Sequence, residues 1–252
     1  MTNKRIKELT ALKDKAKARR ESGTYIVEGI KMCGEAPKDM VLETYVTASF
    51  AMQNKEWIKG RNAEILEERV FEKISDTKTP QGVLSVIRQP KYSLDDMIKK
   101  ADLFVVLEDI QDPGNLGTII RTAEGAGVAG IIMSRGCVDI FNPKTIRSTM
   151  GSIYRVPFIY TDDLKKAIEK LKENEIEVFA AHLKGKSDYD DITYRKAAFL
   201  IGNEGNGLSD ETAALADTYI RIPMEGQVES LNAAVATAIL IYEFSRQRRN
   251  VD

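Results

Sequence analysis

The chain has 252 residues, 43% of them apolar and 30% charged, as expected for a globular protein with one large domain or two modest ones. Its net charge of −1 excludes a globally cationic protein. Two cysteines and one histidine are too few for a disulfide framework or a zinc site, and we expect no metal. We find no apolar run of membrane-spanning length and no signal-peptide core, and we expect a cytoplasmic protein.

The first predicted element is a basic helix over residues 3–21. Residues 1–20 contain eight Lys or Arg and two acids, a local charge of +6 (8 − 2). Such a helix face can contact nucleic-acid phosphates, or it can simply be solvated. The candidate phosphate contacts are Lys4, Arg5, Lys13, Lys17, Arg19 and Arg20.

Short elements follow as far as residue 90, which favours a small α/β domain. They are an element at Tyr25–Cys33, a strand at Met40–Thr47, a helix at Met52–Arg61, a second candidate strand at Ala63–Val70 and a strand at Gly82–Arg88. A turn-rich loop spans residues 75–82. Pro90 lies in a predicted linker, Gln89–Ser93, because proline interrupts regular structure. We therefore predict domains at residues 1–90 and 91–252.

Strands and helices alternate from residue 94 onward. The predicted strands are Leu103–Leu107, Ala129–Ser134, Glu177–Leu183, Ala198–Gly202 and Tyr219–Pro223. The predicted helices are Leu116–Gly125, Pro143–Met150, Asp163–Glu173, Ser209–Ala216 and Ser230–Arg248. This alternation predicts an α/β fold with a mostly parallel sheet and helices on both faces.

The last predicted helix is apolar on every side. Across Leu231–Tyr242 only Asn232 and Thr237 are polar, so the helix must be buried all round. A second subunit can provide this cover, and we expect a homodimer in which this helix contributes to the interface. The alternative is complete burial within one subunit.

Two familiar nucleotide-binding patterns fail on their context. Gly125–Gly130 matches GxGxxG, but a helix precedes it and a strand follows, which is the reverse of the dinucleotide-binding order. Gly185–Ser187 resembles the end of a phosphate-binding loop, but the upstream glycine is replaced by Ala180. A Rossmann-type metabolic enzyme is therefore disfavoured.

The first of three remaining motifs is Asp112–Ala123, directly after an apolar strand. Asn115 is predicted to cap a helix. The apolar residues from Leu116 onward are spaced to form one buried stripe, and Arg121 points away from it. Arg121 is thus available to a ligand, although a solvated arginine on a capped helix has the same pattern.

The other two motifs also follow apolar strands. Phe199–Leu208 contains three glycines and places Glu204 at a strand end, where open α/β sheets bind ligands; a plain glycine-rich turn is the alternative. Ile222–Asn232 presents Ser230 and Asn232 at the start of the apolar helix, where Ser230 can also act as a cap.

Together, the order and spacing of the three motifs resemble the SpoU/TrmH family of RNA ribose 2′-O-methyltransferases. No motif position departs from the family pattern. The N-terminal segment, including residues 71–82, looks like the RNA substrate-binding domain that precedes the catalytic domain in many members, so the resemblance covers nearly the whole chain. The resemblance implies a C-terminal α/β knot with a deep trefoil knot, a small N-terminal α/β domain of L30e type, and S-adenosylmethionine as cofactor.

The resemblance also implies the roles of individual residues. The implied residues are Arg121, Asn115, Glu204, Ser230 and Asn232 for catalysis, and Ala181, His182, Gly202, Ile222, Met224 and Leu231 for the cofactor. The family assigns Arg121 to activating the ribose hydroxyl. Because a guanidinium stays protonated in proteins, we expect Arg121 instead to bind the hydroxyl and a neighbouring phosphate.

The resemblance favours ribosomal RNA as substrate. Transfer RNA is the first alternative. The second is a non-catalytic RNA-binding or ribosome-assembly factor of the same fold, which the intact motif residues disfavour.

Overall fold

The structure, a computed structural model, describes residues 2–99, 102–228 and 230–249. Its helices are α1 Asn3–Asp14, α2 Ala16–Ser22, α3 Ile30–Glu35, α4 Ala48–Gln53, α5 Lys55–Ile58, α6 Glu68–Ile74, α7 Leu94–Ile98, α8 Pro113–Ala126, α9 Pro143–Thr149, α10 Leu164–Glu173, α11 Asp210–Ala213 and α12 Ala233–Arg249. Its strands are β1 Thr24–Glu28, β2 Val41–Thr47, β3 Ala63–Leu66, β4 Val83–Arg88, β5 Leu103–Leu107, β6 Gly130–Ser134, β7 Phe158–Thr161, β8 Glu177–Ala181, β9 Ser187–Asp188, β10 Ala197–Ile201 and β11 Thr218–Arg221.

The chain divides into two compact units. The first comprises Met1–Lys91 with Asp139–Tyr154, and the second comprises Tyr92–Val138 with Arg155–Asp252. The segment Asp139–Tyr154, which contains α9, groups with the N-terminal residues although it lies far along the chain. Its interactions explain the grouping, because its first residue pairs with Arg19 and α9 packs beside β1.

The first unit has a four-stranded mixed sheet in the order β1-β4-β2-β3. β4 pairs antiparallel with β1 and β2, and β3 joins β2 in parallel. Leu9 of α1 and Phe71 and Ile74 of α6 pack against this sheet in one hydrophobic core. The predicted basic helix is in fact two helices, since Lys15 has extended backbone with φ −124° and ψ 115°.

Several sequence predictions in short elements were wrong in extent. The helix predicted at Met52–Arg61 is α4 and α5, separated at Asn54. The strand predicted at Ala63–Val70 ends at Leu66, and helix α6 follows. The prediction missed α7, β7 and β9, all of which have five residues or fewer. Such short runs carry little periodicity, which explains the omissions.

The second unit confirms the predicted parallel sheet with helices on both faces. Its seven strands have the order β7-β6-β5-β10-β8-β11-β9, and every neighbouring pair is parallel. Residues of α10 and α11 share a core with one face of the sheet, while α12 packs against α8, β10 and β5. The trefoil knot implied by the resemblance stays a prediction.

The strand order defines where a ligand site is expected. β5 and β10 are neighbours, but β5 continues through α8 to β6 on one side, whereas β10 continues through α11 to β11 on the other. Open α/β sheets bind ligands at the carboxyl ends of strands where the chain direction diverges in this way. The first sequence motif, Asp112–Ala123, begins shortly after β5, and the second, Phe199–Leu208, begins within β10 and continues past its carboxyl end.

The final helix is not buried on all sides within the subunit. Val235 is 48% exposed and Tyr242 is 44% exposed, whereas Leu240, Ile241 and Phe244 are buried. Complete burial within one subunit, the alternative left open by the sequence, is therefore wrong.

No helix of the part of the chain that the structure describes is long and apolar enough to cross a membrane.

Candidate active site

The first motif begins helix α8 with an aspartate cap. The Asp112 carboxylate accepts a hydrogen bond from the backbone N–H of Asn115 at 2.8 Å, and Pro113 occupies the first turn. The prediction that Asn115 caps the helix was wrong, because Asp112 occupies the N-cap position and Asn115 lies within the first turn. As a consequence, the carboxamide of Asn115 is available to contact other elements.

The structure brings Asn115, Glu204 and Asn232 together, and we call these residues the motif cluster. The Asn115 Nδ2 group donates to Glu204 Oε1 at 3.0 Å, and Asn232 Nδ2 donates to Asn115 Oδ1 at 2.9 Å. Glu204 also accepts from the backbone N–H groups of Gln111 and Asp112, both at 3.2 Å. One residue from each of the three motifs therefore meets the others at the carboxyl edge of the sheet.

The hydrogen bonds of the motif cluster keep Glu204 ionised. Partial burial raises the pKa of the Glu204 carboxyl, but the hydrogen bond from Asn115 and the backbone N–H donors outweigh it, so the pKa lies below its usual value. A carboxylate at neutral pH has only acceptors, and it therefore fixes Asn115 with the amide nitrogen toward Glu204 and the oxygen toward Asn232.

The glycine-rich loop after β10 is tight because it packs on itself. A Cβ at Gly202 would lie 2.0 Å from the carbonyl carbon of Gly207, so only glycine fits there. Asn203 exchanges backbone hydrogen bonds with Gly207, at 3.0 and 2.9 Å. This internal packing, which sequence reasoning did not foresee, holds the following residue, Glu204, in place.

Asn232 also caps helix α12. Its Oδ1 accepts from the backbone N–H groups of Ala234 at 2.9 Å and Val235 at 3.3 Å. The side chain of Ser230 makes no hydrogen bond to a described residue, so the capping role considered for it belongs to Asn232. Ser230 is exposed.

Arg121 is exposed on α8 and makes no ion pair or hydrogen bond with a described residue. It lies six residues beyond Asn115, about 9 Å along the helix axis at ~1.5 Å per residue. The structure thus separates the candidate catalytic residues into two sets. The motif cluster satisfies its own hydrogen bonds, whereas the guanidinium of Arg121 and the hydroxyl of Ser230 are open to a ligand.

The candidate cofactor residues lie at the ends of three adjacent strands. Ala181 ends β8, Gly202 follows β10 and Ile222 follows β11, and these strands are parallel neighbours. Parallel strands end at the same edge of a sheet, so the three positions face one region. Met224 and Leu231, on the loop after β11, are half-buried.

The loop after β8 is held against β11. The backbone N–H of His182 donates to the Ile220 carbonyl at 2.9 Å, and its Nδ1 accepts from the N–H of Lys184 at 3.1 Å. The imidazole lies 5.3 Å from the Tyr219 ring, measured between centroids. Half-buried apolar side chains beside half-buried strand ends fit an adenosyl group, which needs an apolar slot and a few polar contacts. In the part of the chain that the structure describes, no group of three or more His, Cys, Asp and Glu could hold a metal ion.

The structure changes the set of candidate RNA contacts in the first unit. Arg19 is 3% exposed, and its guanidinium binds Asp139 and the carbonyls of Leu12 and Lys13. No surface of Arg19 remains for a phosphate, so it does not belong to the set.

Two further candidates are engaged internally. Arg5 is bound to Glu43 and Tyr45, and the Lys13 ammonium donates to the carbonyls of Lys73 and Ser75. The remaining candidates, Lys4, Lys17 and Arg20, are exposed.

The fold and the site together define an α/β protein with a parallel sheet and three motifs that meet at the carboxyl ends of its strands. Residues 102–242 match the model of the SpoU rRNA Methylase family, and residues 3–85 match the MRM3-like substrate binding domain. The chain belongs to the SpoU methylase family. It is an S-adenosylmethionine-dependent RNA methyltransferase.

Three relatives illustrate the similarity. The 23S rRNA (guanosine(2553)-2′-O)-methyltransferase RlmP of Bacillus subtilis is 33% identical over 95% of each chain. The SpoU methyltransferase AviRb of Streptomyces viridochromogenes, solved with AdoMet, has a TM-score of 0.88 and 26% identity, covering 98% of this chain and 99% of its own. The TrmH/SpoU tRNA modifying enzyme of A. aeolicus has a TM-score of 0.54 and 27% identity, covering 63% of this chain and 83% of its own.

Proposed function

We propose that this protein transfers a methyl group from S-adenosylmethionine to a ribose 2′-hydroxyl of ribosomal RNA. The observation that carries the proposal is the motif cluster. Its hydrogen bonds join the three motifs at the carboxyl edge of the sheet, next to β5 and β10, from which the chain continues in opposite directions. The Bacillus subtilis relative named for 23S rRNA matches both parts of this chain, whereas the similarity to the tRNA modifying enzyme covers 63% of it. This difference favours ribosomal over transfer RNA.

The chemistry requires alignment of the hydroxyl with the methyl group above all. S-adenosylmethionine supplies an activated methyl on its sulfonium. Correct positioning of reacting groups can contribute ~7–11 kcal/mol to catalysis. In our proposal, Arg121 and Ser230 contact the ribose and a neighbouring phosphate, since both are exposed and have no partner among the described residues.

In this proposal, the hydrogen bonds of the motif cluster hold the loops of the site in position. Glu204 holds Asn115, and Asn115 holds Asn232, which in turn starts α12. Arg121 orients the nucleophile as a cation and does not remove its proton. The ribose oxygen would bond to the methyl group as the methyl–sulfur bond breaks and S-adenosylhomocysteine leaves. The hydroxyl proton would pass to water late in the transfer, when the oxygen has become more acidic through bonding to the methyl group.

The cofactor is proposed to lie at the ends of β8, β10 and β11. Backbone groups near Ala181, Gly202 and Ile222 would bind the adenine and ribose, with His182, Met224 and Leu231 at the sides. A cytoplasmic location, as expected for an enzyme of ribosomal RNA, is part of the proposal.

Mapping 2′-O-methyl groups in ribosomal and transfer RNA, from cells with and without the gene, tests the substrate. We expect one or a few sites in ribosomal RNA to lose the modification. Loss of a transfer RNA site alone would replace ribosomal RNA with the alternative substrate. An unchanged map in both RNAs would contradict the proposal.

The exposed basic residues of α1 and α2 are expected to contribute to RNA affinity. Reversing Lys4, Lys17 and Arg20 to glutamate should weaken binding and reduce the slope of log affinity against log salt by about 0.7 to 0.9 for each phosphate that is no longer bound. Filter binding over a salt series measures both quantities. Reversal of two exposed lysines on α10, Lys165 and Lys166, is the control for a change of charge elsewhere on the chain. An unchanged slope in the first variant would exclude α1 and α2 from the interface.

We further propose that two copies associate through α12. Val235, Ile239 and Tyr242 are spaced at i, i+4 and i+7 and therefore form one apolar stripe. Val235, near the start of α12, and Tyr242, near its middle, are about half exposed, and exposed apolar side chains that share one helix face mark a candidate protein interface. A second copy of this helix is the occupant that matches an apolar stripe without charges.

Glutamate at both Val235 and Tyr242 is expected to convert a dimer into a monomer, because each subunit would have to bury two charges at the interface. Size-exclusion chromatography with light scattering measures the mass directly. Ile65→Glu, at a 61% exposed apolar residue of β3, is the control that should remain dimeric. A wild-type protein that is monomeric at micromolar concentration would contradict the proposal.

A further inference from the structure

The turn between β5 and α8 has an unusual backbone at Asp109. Its φ is +54°, in the left-handed region that residues other than glycine seldom occupy. Such backbone persists only where neighbouring groups hold it, and it concentrates at functional sites. Asp109 lies three residues before Asp112, which caps α8, and is exposed.

Side chains from two other strand ends hold Asp109 in this conformation. The Ser134 hydroxyl, at the end of β6, donates to Asp109 Oδ1 at 2.6 Å and accepts from the Asp109 N–H at 2.9 Å. Asn203, after β10, donates from Nδ2 to the Asp109 carbonyl at 2.8 Å. A Cβ at Gly136 would lie 2.0 Å from Asp109 Oδ1, so the carboxylate fits only because residue 136 is glycine.

The held turn directs two backbone donors at Glu204. The N–H groups of Gln111 and Asp112 both point to the Glu204 carboxylate, at 3.2 Å each. Asn203 is the immediate neighbour of Glu204, and its Oδ1 accepts from the N–H of Gly205 at 2.9 Å. Asn203 therefore forms hydrogen bonds both to the turn at Asp109 and within the loop that carries Glu204.

We propose that Asp109, Ser134 and Asn203 are positioning residues of the methyl-transfer site. They act through Glu204. The turn at Asp109 fixes the N–H groups of Gln111 and Asp112, and these two donors hold the Glu204 carboxylate in position. The carboxylate then orients Asn115, which orients Asn232. None of the three residues contacts substrate in this proposal. The inference rests on the proposed function, because it assigns these residues to the same site.

Ser134→Ala tests the inference with the smallest change in volume. It should lower kcat about tenfold, leave KM for S-adenosylmethionine and RNA within about twofold, and move the acid limb of the kcat–pH profile to higher pH. The shift has this sign because Glu204 must be ionised, and looser N–H donors raise its pKa. Ser134→Thr keeps the hydroxyl and should restore both kcat and the profile.

Two controls separate positioning from general damage. Ser148→Ala removes a hydroxyl that donates to the Lys144 carbonyl within α9 and should leave the profile unchanged. Asp109→Gly accepts the positive φ but loses the carboxylate, so it should fold normally and behave like Ser134→Ala. Unchanged kcat and pH profile in Ser134→Ala, or equal damage in Ser134→Thr, would overturn the inference.

A readout without turnover distinguishes this inference from the proposed function. Titration of the Glu204 carboxyl by carbon NMR should give a pKa below that of an ordinary glutamate in the wild type, and a higher value in Ser134→Ala. Equal values in the two proteins would overturn the inference even if the enzyme is active. A wild type that methylates no RNA would instead overturn the proposed function, and the titration would still decide the role of Ser134.

Discussion

Replacing Arg121 with alanine is expected to lower kcat for methyl transfer to RNA by about 100- to 1000-fold, the usual cost of removing one donor aimed at a reacting oxygen. The expectation follows from its position. The guanidinium is exposed, has no partner among the described residues and lies on the same helix as Asn115. The affinity for S-adenosylmethionine should change little, because the proposed cofactor residues belong to other loops.

Calorimetry with the cofactor and single-turnover kinetics with RNA measure the two quantities separately. Arg195→Ala is the matched control, since Arg195 is also exposed but lies at the amino end of β10, at the opposite edge of the sheet. Arg121→Lys keeps the charge but loses the planar fork, and it should recover only part of the activity. Turnover near the wild-type rate in Arg121→Ala would remove this residue from the mechanism.

Replacing Arg19 with alanine should lower the free energy of unfolding by about 3 kcal/mol, as is usual when one partner of a buried ion pair is removed. Arg19 is 3% exposed, and its Nη2 lies 2.7 Å from Asp139 Oδ2. The same guanidinium donates to the carbonyls of Leu12 and Lys13, which would otherwise lack partners at the end of α1. The variant therefore loses both an ion pair and the donor that satisfies a helix terminus.

The adjacent Arg20 gives an unusually close control. It is exposed, so Arg20→Ala should change stability by no more than about 0.5 kcal/mol while weakening RNA binding. Urea unfolding and RNA binding, measured on both variants, should give opposite patterns. If Arg19→Ala is as stable as the wild type, the buried ion pair does not stabilise the first unit as we expect.

The meeting of the three motifs could be foreseen from the sequence. Each motif follows an apolar strand, and the carboxyl ends of parallel strands share one edge of a sheet. In the structure, Asn115, Glu204 and Asn232 are joined by hydrogen bonds at this edge. What the sequence could not tell is which residues would be bound to each other and which, like Arg121, would remain exposed.

The N-terminal segment shows that a count of local charges does not predict which basic side chains are exposed to bind RNA. Arg19 and Arg20 are neighbours of identical chemistry, yet one is buried and the other is exposed. The difference depends on Asp139, which is 120 residues away in the chain. A local pattern cannot reveal such a partner.

The helix starts show a different limit. Asp112 and Asn115 are both good capping residues, and Pro113 between them favours the earlier one because proline prefers the first helical position. The sequence therefore contains the signal for the correct cap. The turn at Asp109 has no comparable signal, since its positive φ depends on Ser134 and Asn203 from other strands.

The central claim is that this chain methylates a ribose 2′-hydroxyl of RNA. The most direct measurement is to incubate the purified protein with methyl-labelled S-adenosylmethionine and RNA from cells that lack the gene, digest the RNA to nucleosides, and locate the label by mass spectrometry. We predict label in a 2′-O-methylated nucleoside, present with the wild type and greatly reduced with Arg121→Ala. Label on a base, or no transfer to any RNA while the cofactor binds, would contradict the claim.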